Sequence, residues 1–249
     1  MENILKEIAE KRLADVNEAK KEYDYPFYRA LKKPGMNFIC EVKKASPSKG
    51  IIAGDFPYLR IAMEYEAAGA AAISVLTEPH YFLGDIDYLR EIAQRVGIPV
   101  LRKDFIVDES MIVEAKDAGA SAVLLIAALL DDEKLKNYLQ LAHAIGLSAL
   151  VEAHDADEVK RAVASGAKII GVNNRDLRDF SIDMNNSISL RKLVEDEDVV
   201  FVSESGIKTA EDIKRLADGN IHSVLIGETL MRSADKKAML DELTGKRLK

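Results

Sequence analysis

The chain has 249 residues, of which 48% are hydrophobic and 31% charged, and its formal net charge is −7. The charges are of mixed sign and form no basic patch, which disfavours nucleic acid and membrane surfaces as partners. The longest apolar run, residues 122–130, is much shorter than the ~20 residues that span a bilayer, and no secretory signal is expected from the first residues.

The predicted elements begin with an amphipathic helix over residues 2–20, in which apolar residues recur at helical spacing. Eight apolar runs then predict β-strands, separated by helical patterns such as 131–144 and 209–217. The second of these helices opens with Thr209-x-x-Asp212, a capping box. The predicted strands lie near residues 37–43, 71–76, 98–103, 121–127, 147–152, 168–173, 199–203 and 222–227.

A weak internal repeat links several of these units. Each unit consists of a predicted helix that ends in Gly, then a small residue, then an apolar strand. Such units begin at Glu66, Glu114 and Arg161 and, with a looser match, at Arg215. Strands that are apolar on both faces are typical of parallel sheets covered by helices. Eight such units favour an α/β fold of the (β/α)8 TIM-barrel type over a doubly wound sheet, and no glycine-rich dinucleotide motif follows any strand.

The predicted organisation is a single domain over residues 1–249, with an N-terminal helical extension over 1–36 and the barrel over 37–249. Cys40 is the only cysteine, so the chain cannot form an internal disulfide. We expect its thiol to be packed under a helix, and the protein to work in a reducing, cytoplasmic compartment.

The first predicted strand ends in charge, which is the first sign of a functional site. Because side chains alternate along a strand, Glu41 and Lys43 share a face with Ile39, whereas Cys40 and Val42 share the other. An acid and a base on the inner face of a core strand indicate a catalytic site. The alternative is a solvated strand end with a structural ion pair.

In a barrel of this type, functional side chains lie where strands end and in the loops that follow. Later strand ends add Lys103, Glu152, Asn173 and Arg175 to the pair on the first strand. Three cations and two carboxylates at one mouth indicate acid–base catalysis, although Lys103 could instead pair with Asp104. The four scattered histidines and the lack of a Ser/His/Asp or Cys/His motif disfavour a metal site and nucleophilic hydrolysis.

The ends of the last two predicted strands are small and contain glycine. They read Ser203-Glu-Ser-Gly206 and Ile226-Gly-Glu228, and a short helix can begin at Glu228. Loops at these positions, followed by a helix N-terminus, are the usual phosphate site of such barrels because free backbone N–H groups point at the anion. The sequence therefore predicts a phosphorylated ligand.

Together these segments resemble the indole-3-glycerol phosphate synthase family of tryptophan biosynthesis. The similarity covers nearly the whole chain in the family's order and includes the N-terminal helix. Two departures concern only loop shape: residues 81–85 have fewer glycines than is usual, and 219–222 lack the usual Gly-Ala pair. The matching segments are Glu41–Gly50, Ser74–Glu78, Leu101–Phe105, Leu150–His154, Gly171–Leu177, Ser203–Gly206 and Ile226–Arg232.

The resemblance implies a carboxy-lyase reaction. In it, 1-(2-carboxyphenylamino)-1-deoxyribulose 5-phosphate closes a ring and loses CO₂ and water to give indole-3-glycerol phosphate. Lys103 would be the general acid of ring closure, held by an ion pair with Glu41. Glu152, with Lys43 as the competing candidate, would serve the dehydration. Asn173 and Arg175 would orient the substrate's hydroxyls and the carboxylate side of its aromatic ring.

The resemblance also implies residues for the two ends of the substrate. Phe82 would line the aromatic pocket, and the phosphate would be held by Ser46, Ser205, Gly206, Gly227 and Glu228, the last through its backbone N–H. It implies no metal or organic cofactor, a phosphorylated aromatic small molecule as substrate, and other tryptophan-pathway enzymes as candidate partners. Two alternatives stay open: a Schiff-base aldolase that uses Lys103 or Lys43, and a non-catalytic sensor of a phosphorylated ligand.

Overall fold

The computed structural model describes Lys11 and residues 25–176 and 178–245, so the helix predicted over 2–20 lies, Lys11 apart, outside the described residues. Eight parallel strands form a closed barrel in chain order, and the last strand pairs with the first. They are β1 (Asn37–Val42), β4 (Ala72–Leu76), β5 (Val100–Lys103), β6 (Ala122–Ile126), β7 (Ser148–Ala153), β8 (Ile169–Asn173), β9 (Val200–Glu204) and β10 (Ser223–Ile226). The predicted TIM barrel is confirmed.

One helix precedes the first strand, and the others come after barrel strands and cover the outside of the sheet. They are α1 (Pro26–Leu31), α2 (Tyr58–Ala67), α3 (Ile86–Ala93), α4 (Glu109–Asp117), α5 (Asp132–Ala144), α6 (Ala156–Ser165), α7 (Asn185–Arg191), α8 (Ala210–Asp218), α9 (Glu228–Arg232) and α10 (Lys236–Leu243). The segment after β1 contains a two-stranded hairpin of β2 (Ala45–Ser46) and β3 (Gly50–Ile51), which is not among the predicted strands. Within the described part of the chain, none of the helices is long and apolar enough to cross a membrane.

The alternation of side chains along the strands divides the core into two layers. Ile39, Leu101 and Leu150 belong to the cluster inside the barrel, whereas Cys40 and Val42 belong to the larger cluster between the strands and the helices. Each fully buried Leu or Ile stabilises the fold by about 1.5–3 kcal/mol relative to the exposed side chain. Cys40 is fully buried in the outer layer, as its strand position predicts, and this burial raises the pKa of its thiol.

Helix α1 closes one end of the barrel. Its side chains Phe27, Tyr28 and Leu31 are buried in the same cluster as the apolar residues inside the barrel. The amide of Asn37, at the start of β1, donates hydrogen bonds to the carbonyls of Leu31 and Lys33 and holds the helix there. With the amino-terminal end of the barrel filled, the carboxyl-terminal end is the one left open for a ligand.

Aspartates fix the start of several helices directly after the loops at this open end. Each accepts a hydrogen bond from a backbone N–H in the first turn of its helix, which contributes about 1 kcal/mol and removes an unpaired donor. The loops before α3, α4, α5 and α6 are therefore anchored at both ends, by a strand on one side and a capped helix on the other, whereas the segment capped by Asp235 joins two helices. These aspartates are Asp85, Asp108, Asp131, Asp155 and Asp235.

Candidate active site

A cavity of about 810 Å³ opens at the carboxyl-terminal ends of the strands. Eleven of the twelve predicted site residues line it: Glu41, Lys43, Ser46, Phe82, Lys103, Asn173, Arg175, Ser205, Gly206, Gly227 and Glu228. The twelfth, Glu152, lies against Lys103. Residues that are far apart in the sequence thus meet at one mouth, because the parallel strands all end on the same side of the barrel.

Glu41 on β1 and Lys43, which directly follows this strand, pair with each other. Lys43 Nζ lies 2.5 Å from Glu41 Oε1, and the Glu41 side chain is only 5% exposed, so this is not a solvated strand end. Gly227, at the end of β10, makes room for the pair: a Cβ there would lie 2.9 Å from Lys43 Nζ and closer still to Glu41 Oε1. A side chain at position 227 would therefore displace the pair.

The expected ion pair between Glu41 and Lys103 is wrong. Lys103 Nζ lies 3.1 Å from Glu152 Oε2 and 3.7 Å from Glu204 Oε2, so its partners come from β7 and β9. Glu41 is engaged by Lys43, which lies two residues further along the chain, just after β1. Asp104, the alternative partner for Lys103, points to the outer face and pairs with Arg102 at 3.2 Å.

The charge of Lys103 reflects two opposing effects. Burial alone would lower its pKa, but the carboxylates of Glu152, Glu204 and Glu41 outweigh burial and raise it. Lys103 is thus an ammonium group at neutral pH, held at the floor of the cavity by a hydrogen bond to Glu152 and an ion pair with Glu204. A fixed ammonium in a cavity with little water stabilises negative charge that develops on a nearby oxygen.

Glu152 is held in its ionised form. Burial would raise its pKa, but Lys103, His154 and Asn173 together lower it well below the ordinary range. Asn173 Nδ2 donates a hydrogen bond to Glu152 Oε1 at 3.2 Å, and His154 Nε2 lies 3.4 Å from the same oxygen. A buried carboxylate that stays charged can accept a proton, which is the role of a general base.

His154 was not among the predicted site residues, although it directly follows β7. Its Nδ1 lies 3.0 Å from Glu158 Oε2, so the imidazole bridges Glu152 in the mouth and Glu158 on α6. Its pKa is raised from 6.5 to about 9, mainly by the neighbouring Glu152 carboxylate and further by Glu158, against the effect of burial. His154 thus places a second positive charge beside Glu152.

Glu204 is the main site residue that the sequence reasoning missed. Its side chain is 3% exposed, and its Oε1 has no hydrogen-bond partner among the described residues. Burial, and then the negative charge of Glu152, raise the pKa of Glu204 well above its ordinary range despite the opposing effect of Lys103. Glu204 shares a strand face with Val202 inside the barrel, so the alternation rule that selected Glu41 also points to it.

Glu152 and Glu204 therefore lie on either side of the Lys103 ammonium, and their pKa values are shifted in opposite directions. The first favours the carboxylate and the second favours the protonated acid, because two buried carboxylates near each other do not both ionise easily. Two carboxyl groups whose surroundings push their pKa values apart are a common arrangement for acid–base catalysis. The site can both donate and accept protons at neutral pH.

The turn after β9 has the features of an anion site. Ser205 and Gly206 both have positive φ angles, 69° and 90°, and a Cβ at Gly206 would lie 2.5 Å from Ile182 Cγ2. At the end of the neighbouring strand β10, the Glu228 carboxylate is neutralised by Arg232 at 3.1 Å and by Lys49 at 3.8 Å. Backbone N–H groups in such a turn, close to two cations, favour a bound phosphate.

The opposite side of the cavity is apolar. Phe82 and Phe105 have ring centroids 6.1 Å apart, and Phe180 and Ile182 add apolar lining elsewhere in the cavity. The loop that carries Phe82 is fixed by Glu78, whose carboxylate accepts hydrogen bonds from three successive backbone N–H groups, residues 80–82. This wall fits a flat aromatic ring.

Arg175 lies between the loop after β8 and the cavity. Its backbone N–H donates to Asn173 Oδ1 at 3.1 Å, and its guanidinium donates to the carbonyl of Phe180 at 3.3 Å. A single antiparallel bridge to Ile182 folds this loop back over the rim. Within residues 25–176 and 178–245, no three His, Cys, Asp or Glu side chains are grouped so that they could hold a metal ion.

Comparison with known proteins identifies the family. The family model described as indole-3-glycerol phosphate synthase matches residues 1–243. The chain belongs to the indole-3-glycerol phosphate synthase family. Curated members of this family include the Ruminiclostridium cellulolyticum protein, which is 57% identical over 89% of this chain and 85% of its own length. The Leuconostoc mesenteroides protein is 46% identical over 99% of this chain and 96% of its own length.

Solved structures of more distant proteins agree on the fold. The 3-hexulose-6-phosphate synthase of Salmonella typhimurium matches with a TM-score of 0.69 at 16% identity, over 84% of this chain and 97% of that one. A chain of the Pyrococcus furiosus tryptophan synthase complex matches with a TM-score of 0.62 at 13% identity, over 84% and 97%. Family membership confirms the predicted function, the carboxy-lyase step of tryptophan biosynthesis that forms indole-3-glycerol phosphate.

Proposed function

We propose that the chain carries out this reaction with Lys103 as the general acid of ring closure. The observation that supports the assignment is the half-buried Lys103 ammonium, held between Glu152 and Glu204 at the floor of a cavity. That cavity has a candidate phosphate turn on one side and an aromatic wall on the other. A substrate held at both ends would be folded over the ammonium, which converts ring closure into a reaction between atoms already in contact.

In the first step, the aromatic carbon that bears the carboxylate attacks the ribulose carbonyl, and a carbon–carbon bond forms. Lys103 donates its proton to the carbonyl oxygen, which becomes a hydroxyl. The carboxylate then leaves as CO₂, and its bonding electrons restore the aromatic ring. A positioned general acid contributes about 10²–10⁴-fold to such a step. Because a carboxylate is lost as neutral CO₂, each turnover consumes one proton from solvent.

In the second step, the new hydroxyl leaves as water and the neighbouring carbon loses a proton. We assign proton removal to Glu152, since its surroundings keep it ionised. Lys43, which is paired with Glu41 on the other side of the mouth, donates to the departing hydroxyl. Glu152 lies 3.1 Å from Lys103 and can return its acquired proton there, so Lys103 is recharged for the next turnover. Lys43 regains its proton from solvent, and this is the one proton that each turnover consumes.

The remaining residues position the substrate in this proposal. Ser205, Gly206, Gly227 and the N–H of Glu228 take the phosphate, with Ser46 of the β2–β3 hairpin beside them. Phe82 stacks near the aromatic ring. Asn173 and Arg175 reach the hydroxyls and the carboxylate side of the ring.

The working compartment and the partners are also proposals. Cys40 is unpaired and buried, which suits a reducing cytosol. Contact with other tryptophan-pathway enzymes would be tested by mixing the purified proteins and measuring their sedimentation together. The substrate is a small molecule whether or not the chain contacts these enzymes.

The deciding experiment follows the fluorescence of the indole product when the purified chain is mixed with the carboxyphenylamino-deoxyribulose phosphate. Lys103→Ala should abolish turnover, whereas Lys136→Ala, which alters an exposed lysine of α5, should not. Turnover that survives in Lys103→Ala would move the general acid elsewhere, with Lys43 the next candidate. Tight binding without turnover in the unmodified chain would favour the sensor, and a borohydride-trapped adduct would favour the aldolase.

A further inference from the structure

A cluster of three polar side chains lies on the outer side of the barrel, behind the candidate phosphate turn. Asn174 follows β8, Ser203 lies on β9 and Ser187 lies on α7; Asn174 is 4% exposed and both serines are 0% exposed. The layer around them is otherwise apolar. Burying polar groups there destabilises the fold unless every group is hydrogen-bonded, so the cluster calls for an explanation beyond packing.

The side-chain amide of Asn174 uses its full hydrogen-bonding capacity. Its Nδ2 donates to Ser203 Oγ at 2.9 Å and to the carbonyl of Ser205 at 3.2 Å. Its Oδ1 accepts from Ser187 Oγ at 2.6 Å and from the Ser187 N–H at 3.2 Å. Turning the amide over would set its donors against the Ser187 donors, so the orientation is fixed.

One of these bonds reaches the site. Ser205 has a φ of 69°, a left-handed conformation that costs a non-glycine residue free energy and persists only where its surroundings hold it. The Nδ2 of Asn174 donates to the carbonyl of Ser205 itself, and that carbonyl belongs to the peptide bond whose N–H is that of Gly206. The amide thus fixes the plane of the peptide bond that would present an N–H to the phosphate.

We propose that Asn174 is a positioning residue that sets the Ser205–Gly206 turn for the phosphate group of the substrate. It touches no substrate and acts only through the Ser205 carbonyl. The inference rests on the proposed function, which places the phosphate at this turn. Loss of the Nδ2 donor lets the peptide plane rotate, so the anion loses a preorganised hydrogen bond.

The test compares the loss of the hydrogen bonds made by Asn174 Nδ2 with the loss of a hydrogen bond accepted by Asn174 Oδ1. Asn174→Asp keeps the shape but replaces the Nδ2 donor with an oxygen, and Asn174→Leu, measured in parallel, removes the donor without adding charge. Ser187→Ala is the matched control, because it removes a bond on the Oδ1 side and leaves the bond to Ser205 in place. The Asn174 variants and Ser187→Ala should all lower Tm, since each of them breaks a buried polar network.

The readout is competitive inhibition by inorganic phosphate, together with KM and kcat for the substrate. We expect both Asn174 variants to raise the inhibition constant and KM about tenfold, the effect of one lost hydrogen bond to a charged group, with kcat within about threefold. Ser187→Ala should leave the phosphate inhibition constant unchanged despite its lower Tm.

Three results would overturn the inference. An unchanged inhibition constant in a folded Asn174 variant would show that the turn holds its shape without the amide. An equal rise in Ser187→Ala would show a general loosening of the layer. If phosphate failed to compete even in the unmodified chain, the phosphate site of the proposed function would fail first, and the inference with it.

Discussion

Gly171, in the middle of β8, leaves room for the Glu204 carboxyl group. A Cβ added there would lie 3.1 Å from Leu150 Cδ1 and would overlap Glu204 Oε1. Its φ angle is not in the left-handed region, so the backbone tolerates alanine and the collision is the main consequence. Gly171→Ala therefore moves Glu204 while leaving every charged residue of the site in the sequence.

The size of the effect follows from the overlap. The added Cβ would come about 1 Å too close to Glu204 Oε1 for ordinary contact, so the carboxyl group must shift by about that distance. A misplacement of about 1 Å at a catalytic constellation costs about 10²-fold in rate. This corresponds to about 2.7 kcal/mol of lost transition-state stabilisation. Overpacking should also cost about 1–3 kcal/mol of folding free energy.

The assay is the fluorescence of the indole product, from which kcat and KM are obtained separately. Because the Glu204 carboxyl group is directed at Lys103, the loss should appear in kcat, with KM within about threefold. Gly54→Ala is the matched control: it makes the same change where no atom lies within 4 Å of the added Cβ. Thermal unfolding of both variants separates a loss of folded protein from a loss of rate.

A Gly171→Ala variant that folds and keeps its kcat within about threefold of the unmodified chain would refute the reasoning. It would show that Glu204 can move without consequence, or that its position next to Lys103 does not matter. A loss of rate in Gly54→Ala of similar size would also count against it, since that change meets open space.

Three further outcomes are expected. The contacts that raise the pKa of His154 to about 9 stabilise the fold while the imidazole is protonated; this stabilisation is complete below pH 6.5 and is lost as pH rises through about 9. The free energy of unfolding, measured by urea titration, should therefore decline across this pH range in the unmodified chain but not in His154→Gln. Because Glu204 has a raised pKa, Glu204→Gln should remove one ionisation from the pH profile of kcat, and an unchanged profile would contradict this. Cys40 should resist a thiol reagent at pH 7 in the folded chain and react in urea, as mass spectrometry would show.

The fold could be predicted from the sequence because the apolar runs, the helical spacing between them and the helix caps all indicated the same alternation of strands and helices. The eight predicted strands differ from the observed ones by at most two residues at either end, and the capping box at Thr209 is present. The hairpin of β2 and β3 was missed since its strands have only two residues each. So short a run carries no alternation of side chains that a sequence could reveal.

The site was predicted less completely than the fold. Alternation along a strand gives the face on which a side chain lies, and that was enough to bring Glu41, Lys43 and Lys103 to one cavity. It does not give the distance across a barrel, which depends on the stagger of the strands and on side-chain reach. For this reason Lys103 was paired with Glu41 instead of with Glu152 and Glu204.

The closure of the barrel by β10 against β1 has a consequence for protein synthesis. Lys43 is translated early, and Gly227, which shapes the space beside it, follows roughly 180 residues later. At about 5–20 residues per second, a ribosome takes roughly 10–40 s to cover that distance. Until then, β1 lacks the neighbour that completes the barrel. A nascent chain therefore cannot act on its substrate before the last strand inserts, and the onset of activity marks the completion of folding.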